Sequence, residues 1–150
     1  MEKVLKSFLE MTTVEWYQIV KERIAVFVVE QNCPYQEVDE IDLRAYHHYY
    51  QDENGEIMAY NRLYQGADGI YIGRVLVAEK YRRQGLAEQL MEETLAIAAA
   101  KFPDEAVLLN GQVYLQAFYE KLGFVAISEV FLEDDIPHIK MQLVKNPIKD

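Results

Sequence analysis

Apolar residues at Tyr17, Val20, Ile24, Phe27 and Val28 recur every three or four positions and predict a helix from about Thr13 to Phe27. Thr12-Thr13-Val14-Glu15 in front of it has the form of a capping box, in which a Thr oxygen accepts a first-turn N–H and the Glu reaches back. Val4 to Leu9 is short and apolar-rich and reads as a strand. Further on, the period falls from helical to two. Tyr46 to Gln51 and Glu56 to Gln65 read as strands. The second alternates, with Ile57, Ala59, Asn61 and Leu63 on one side and Met58, Tyr60, Arg62 and Tyr64 on the other. Asn54-Gly55 supplies the positive φ angles of a tight hairpin between them. Gly66-Ala67-Asp68-Gly69 turns the chain into Ile70 to Val77, which completes an antiparallel meander.

Helical spacing returns from Gly85 to Lys101, with Leu86, Leu90, Leu95 and Ala98 mainly on one face and Pro103 beyond the end. Ala106 to Leu109 reads as a short buried strand. Tyr114 to Leu122 reads as a helix stopped at Gly123 by a left-handed cap. Phe124 to Phe131 and His138 to Val144 are expected to pair across Leu132-Glu133-Asp134-Asp135. Val29 to Ala45 is left as an ordered loop containing Pro34, with a short helix near Glu37, Asp39, Glu40 and Asp42. Loops of this length in compact domains are usually functional or mobile. The order is β-α-β-β-β-α-β-α-β-β, a single domain over residues 1–150.

Composition narrows the function. The 150 residues are 51% hydrophobic, enough for a core, yet no apolar run reaches the ~18 residues of a membrane span. The first residues lack the apolar stretch of a signal peptide, so a soluble cytoplasmic protein is expected. A net charge of −10 repels nucleic acid and anionic membranes, and neither is expected as a partner. An anionic ligand would need a local basic site. Cys33 stands alone and cannot form an internal disulfide; one cysteine and three histidines make no zinc pattern, so no metal is expected.

One stretch supplies such a site. Arg74 to Ala87 runs from strand through a basic loop into a helix, and holds Arg82-x-x-Gly85-x-Ala87 with Lys80, Arg82 and Arg83 close together. A helix N-terminus leaves N–H groups unpaired and carries partial positive charge, which suits a pyrophosphate. Gly85 lets backbone approach an anion closely, and Ala87 keeps the first turn small. The same residues also read as an ordinary basic turn capped by glycine.

This segment resembles motif A of the GNAT acetyltransferases, Arg/Gln-x-x-Gly-x-Gly/Ala after a strand. Ala117-Phe118-Tyr119-Glu120-Lys121-Leu122-Gly123-Phe124 resembles the family's later motif. Arg23-x-Ala25-Val26-Phe27-Val28-Val29-Glu30-Gln31-Asn32-Cys33-Pro34-Tyr35-Gln36, Ile72-Gly73-Arg74-Val75 and Ile136-Pro137-His138-Ile139 are similar to the ElaA subfamily. Asn110-Gly111-Gln112 departs slightly from that pattern. The resemblance implies the GNAT acyl-CoA N-acyltransferase fold, an α/β (α+β) domain with a mixed, mostly antiparallel sheet flanked by helices. It also implies an N-acetyltransferase that uses acetyl-CoA as co-substrate and a small-molecule or peptide amine as acceptor, by direct attack without an acyl-enzyme. A homodimer is compatible with it. The rival readings are a non-catalytic acyl-CoA-binding module and a protein-interaction module on the same scaffold.

The resemblance assigns the pyrophosphate to the backbone of Arg82, Arg83, Gln84, Gly85, Leu86 and Ala87, and the pantetheine arm to the edge of Val75, Leu76 and Val77. An N–H near Leu76 or Val77 would face the carbonyl oxygen as it gains charge. Tyr119 takes the family's general-acid position; alternatively it only packs between helix and sheet. Tyr114 and Tyr60 compete for that role more weakly. Glu30 and His138, with Glu79 as a third, are candidates to take the amine proton. Arg23 and Arg74 are expected to pair with acids. The acids Glu37 to Asp42 either attract a cationic acceptor or form a solvated loop.

Overall fold

A computed structural model describes residues 1–144. Eight strands form one sheet: β1 (Glu2–Ser7), β2 (Tyr46–Gln51), β3 (Ile57–Gln65), β4 (Ile70–Val77), β5 (Val107–Gln112), β6 (Phe124–Ala126), β7 (Phe131–Glu133) and β8 (Ile136–Leu143). The order across it is β1-β2-β3-β4-β5-β8-β6, with β7 also on β8. Only β4 and β5 run parallel; every other pairing is antiparallel.

Helix α1 (Thr13–Ile24) opens on the expected capping box, with Glu15 N donating to Thr12 Oγ1 at 3.1 Å and Thr12 N donating to Glu15 Oε1 at 2.8 Å. It does not stop at Phe27. A π-helical turn, Ala25–Glu30, carries it on, so the following loop starts at Gln31 and contains one 3-10 turn, Glu40–Leu43. Helix α2 (Leu86–Lys101) follows β4, and the short helix α3 (Gln116–Lys121) follows β5. Gly123 after α3 has φ +102°, as its stop role requires.

Three expectations need correction. The strict alternation in β3 fails at its start. The β2–β3 register shifts between Tyr50 and Gln51, leaving Met58 as an extra residue. Ile57 therefore packs with Tyr60 against α1, while Met58 packs beside Ala59 under α2. The β2–β3 turn is longer than two residues: Asp52 Oδ1 accepts the N–H groups of Asn54 and Glu56, and only Gly55 has positive φ. The single strand expected over Phe124 to Phe131 is two, β6 and β7, lying along the same side of β8. The tight two-residue turn lies at Asp134-Asp135, φ +50° and +64°, so Leu132 and Glu133 belong to β7.

The core sits on both faces of the sheet. On the α1 face, Ile19, Val26 and Phe27 pack on Tyr49, Tyr60 and Leu76. On the α2/α3 face, Met91, Ala98 and Tyr119 pack with Leu63, Ile72, Leu109 and Met141. By the area rule each fully buried aliphatic side chain contributes about 1.5–3 kcal/mol.

Candidate active site

The parallel seam between β4 and β5 is short. Only Ile70–Val107 and Tyr71–Leu108 are in register. Beyond Tyr71, β4 has no strand partner on that side. A bulge helps it diverge: the β3–β4 register shifts between Tyr60 and Arg62, and opposite that shift Arg74 sits at φ +52°. The opened slot is a cleft of about 870 Å³, lined among others by Val75, Leu76, Val77, Arg82, Ala87, Tyr119, Glu30 and His138.

The cleft passes from one face of the sheet to the other. In β5 and β8, Gly111 pairs with Ile139 and Gln112 with His138. Alternation puts the two pairs on opposite faces. Gly111 faces Tyr119, since a Cβ there would lie 2.9 Å from Tyr119 Cε2. His138 therefore faces the α1 side and Tyr119 the α2/α3 side, with the slot between them.

Tyr119 is 5% exposed, and its ring lies against Phe118 and Phe124 at 5.2 and 6.2 Å. Burial raises its pKa, so the phenol keeps its proton at neutral pH. Among the described residues no hydrogen bond engages the hydroxyl, and the side chain borders the cleft. Tyr60 is spent elsewhere: it is wholly buried, and its hydroxyl donates to His47 Nδ1 at 2.6 Å and accepts from Arg23 at 3.3 Å. His47 Nε2–H, donated to the Asp42 carbonyl, sets that direction. Tyr114 is 72% exposed at the cleft wall.

His138 is 7% exposed, and its Nδ1 lies 2.7 Å from the Ile136 carbonyl oxygen. A carbonyl only accepts, so Nδ1 carries the hydrogen and the lone pair is left on Nε2. Nε2 lies 3.7 Å from Glu133 Oε2. Glu30 is placed differently. Its carboxylate accepts from both terminal nitrogens of Arg82 at 2.6 and 2.7 Å, and this bonding holds its pKa below the ordinary value, making it a weaker base than a free carboxylate. Glu79 is exposed in the 3-10 turn after β4 and does not line the cleft.

In the turn between β4 and α2, Arg82 Nε also donates to the Val77 carbonyl at 3.0 Å. Arg83 and Gly85 take positive φ, +66° and +75°, and with Gln84 form the turn into α2. No side chain caps that helix, and a Cβ on Gly85 would meet nothing within 4 Å. The uncapped N–H groups, the open space at Gly85 and the bases nearby fit a pyrophosphate. Leu86 turns inward at 7% exposure, so only its backbone is available there.

The acids of the 31–45 loop resolve against an attracting role. Arg23 is fully buried; it reaches Glu37 Oε2 at 2.7 Å and grips both oxygens of Asp42 at 2.6 and 3.1 Å. Arg62 takes both oxygens of Asp39 at 2.6 and 3.0 Å and touches Asp42 at 2.9 Å. Arg74 pairs with Glu37 at 3.0 Å and with Asp39 at 3.4 Å. Burial alone would raise the Asp42 carboxyl, but Arg23 and Arg62 override it and hold it below the ordinary range. Three arginines thus neutralise three carboxylates and clamp the loop against α1, β3 and β4. Glu40 alone of the four acids is exposed.

A model of the acetyltransferase (GNAT) domain matches residues 17–145. The chain belongs to the GNAT acetyltransferase family. It is similar to the ElaA protein of Escherichia coli strain K12, 42% identical over 136 residues that cover 88% of this chain and 89% of that one. The crystal structure of E. coli ElaA superposes with a TM-score of 0.90 over 96% of this chain and 100% of that chain, at 39% identity. An acyl-CoA N-acyltransferase from Pseudomonas aeruginosa gives 0.89 over 96% and 100%, at 41% identity. An aminoglycoside 6'-N-acetyltransferase complexed with coenzyme A shares the fold, with a TM-score of 0.69 over 97% and 99% and 14% identity.

Of the residues singled out from the sequence, the structure brings Val75, Leu76, Val77, Arg82, Ala87, Glu30, Tyr119 and His138 to one cleft, and leaves Arg83, Gln84, Gly85 and Leu86 off its lining. Sequence reasoning missed Gly111 and the carboxylates of Glu133 and Asp134. The tripeptide Asn110-Gly111-Gln112 was a signal for the first. The second pair was hidden inside a turn assignment that began two residues too early, at Leu132 instead of Asp134. Among the described residues, no helix is long and apolar enough to cross a membrane, and no cluster of three ligating side chains is placed for a metal ion.

Proposed function

We propose that this GNAT protein transfers the acetyl group of acetyl-CoA to a primary amine by direct attack. The observation that carries this reading is the slot through the sheet, with a proton acceptor on one face and a proton donor on the other. Pyrophosphate would rest on the uncapped start of α2, and the pantetheine arm would lie along the free edge of β4 like an added strand. The amine would enter from the α1 face, where His138 Nε2 can take its proton. The N–C bond forms as the C–S bond breaks, and the departing sulfur takes a proton from the Tyr119 hydroxyl. Entry and departure from opposite faces keep the two proton transfers apart.

Calorimetric titration with acetyl-CoA tests the donor half. Wild type is expected to bind. Gly85→Asp places a carboxylate in the open space at the start of α2, in a left-handed conformation that Asp tolerates. It is expected to weaken binding by at least about tenfold, the scale of one charge-assisted contact. Equal binding by both proteins would refute the assignment of the phosphate loop. No binding by wild type would leave the protein-interaction module as the better reading.

A further inference from the structure

The charges around the cleft do not cancel evenly. Arg82 is balanced by Glu30, and Arg62 and Arg74 by Asp39 and Glu37. Two carboxylates are left over on the α1 side, Glu133 at the end of β7 and Asp134 in the turn. Among the described residues, Glu133 has no basic partner but His138, at 3.7 Å, and the Asp134 side chain has no ion-pair partner. Both line the cleft.

Acidic residues alone would mean little on a chain with net charge −10. Here a second feature points the same way. His138 is more than nine-tenths buried and borders the cleft, and its neutral form presents an Nε2 lone pair that no described residue hydrogen-bonds. That lone pair suits an N–H donor. The wall around it is aromatic. Tyr64 stacks on Tyr71 with centroids 5.6 Å apart, and Tyr35 lies 5.5 Å from the Arg74 guanidinium. Burial first, then the charges of Glu37 and Asp134, push the Tyr35 phenol up to about 12 against the opposing effect of Arg74. Glu133 is likewise among the charges acting on Tyr64. These rings already carry Arg44, Arg62, Arg74 and Lys140, so a ligand cation is left to the carboxylates, which bind it by charge-assisted hydrogen bonds.

We infer that the acceptor is an aliphatic amine bearing a second cationic group, a diamine or polyamine, with that group held by Glu133 and Asp134 while its reacting nitrogen meets His138. This rests on the transferase reading above and names its substrate class. The second cation takes no part in bond making. It orients the chain and keeps the other nitrogen at the slot, so its contribution is to KM and to positioning. An acceptor carrying a carboxylate in its place would meet like charge.

The test is thiol release from acetyl-CoA with putrescine, n-butylamine and γ-aminobutyrate, three amines of equal carbon count that differ in the far end. Wild type is expected to prefer putrescine over butylamine by at least about tenfold in kcat/KM, and γ-aminobutyrate to be the poorest. Asp134→Asn keeps a residue suited to positive φ, so the turn survives. In it and in Glu133→Gln the putrescine-to-butylamine ratio is expected to fall at least about threefold each. Glu53→Gln, an exposed change in the β2–β3 turn, removes the same charge elsewhere and is expected to leave the ratio unmoved. Equal use of butylamine and putrescine by wild type, or an equal fall in Glu53→Gln, would overturn the inference alone. No thiol release with any amine, from protein that binds acetyl-CoA, would overturn the transferase reading and the inference with it.

Discussion

Gly111→Ala is a change that should act on catalysis through a ring it does not belong to. A Cβ at this position would lie 2.9 Å from Tyr119 Cε2, 3.0 Å from Cδ2 and 3.1 Å from Leu109 Cδ1. Ordinary contact needs about 3.5–4.0 Å, so the ring must retreat by the better part of an ångström. It has little room, at 5% exposure with Phe118 and Phe124 beside it. Overpacking of this kind costs about 1–3 kcal/mol of stability. Misplacing a reacting group by about 1 Å costs on the order of 10²-fold in rate. Tyr119→Phe removes a hydroxyl that no protein group engages, so stability should hold while kcat falls by about 10²-fold or more if that hydroxyl protonates the leaving sulfur. Both effects run through one oxygen, so they should not add. The assay is steady-state thiol release with putrescine, with melting temperatures measured in parallel. Gly111→Ala in the Tyr119→Phe background should slow the enzyme little further. Full additivity, or a Gly111→Ala enzyme with wild-type kcat, would refute the placement of Tyr119 as proton donor.

Arg23→Met strips the buried carboxylates of Glu37 and Asp42 of their main partner. It is expected to cost about 3–5 kcal/mol, or roughly 6–20 °C in melting temperature for a domain of this size, read by calorimetry. A shift under a few degrees would mean the pair is not desolvated as described. His48 gives a pH dependence with a definite sign. Burial pushes its pKa down to about 4; its Nδ1–H is donated to Thr94 Oγ1 at 2.7 Å, because that hydroxyl already donates to the Leu90 carbonyl. The unfolded chain takes up this proton near the ordinary 6.5 and the native state does not, so stability is full above that pH and falls as pH drops towards 4. The loss reaches roughly 3 kcal/mol from this group. Urea midpoints between these limits should fall in wild type and flatten in His48→Gln; parallel curves would refute it.

The parts of this molecule that local rules govern were legible in the chain. The capping box at Thr12, the stop at Gly123 and the run from Arg74 to Ala87 each depend on residues close in sequence. The illegible parts were set by distant partners. Arg23 and Arg74 were expected to pair with acids and do, but that Glu37, Asp39 and Asp42 are their partners and that Arg62 joins them no spacing rule gives. Register shifts defeated the alternation in β3, since an extra residue at Met58 flips the sides of everything before it. The same kind of bulge, at Arg74, lets that side chain join Tyr71 and Gly73 on the α1 face. For the site, residue types singled out Tyr119 and His138 as candidates. Their placement on opposite faces came only from the pairing of Gly111 with Ile139 and Gln112 with His138.

The two-pair seam at Ile70 and Tyr71 makes the sheet mechanically two leaves, β1 to β4 and β5 to β8, hinged along one short line. Each leaf keeps its own antiparallel ladder, so a twist about the hinge widens or narrows the slot without opening those ladders. The restoring force comes from the apolar wedge under it, one cluster in which Met91 and Ala98 of α2 join residues of both leaves. Stiffness at the slot is thus set by packing some distance from the reacting atoms. The cleft thus opens along the line where the two leaves share the fewest backbone pairs.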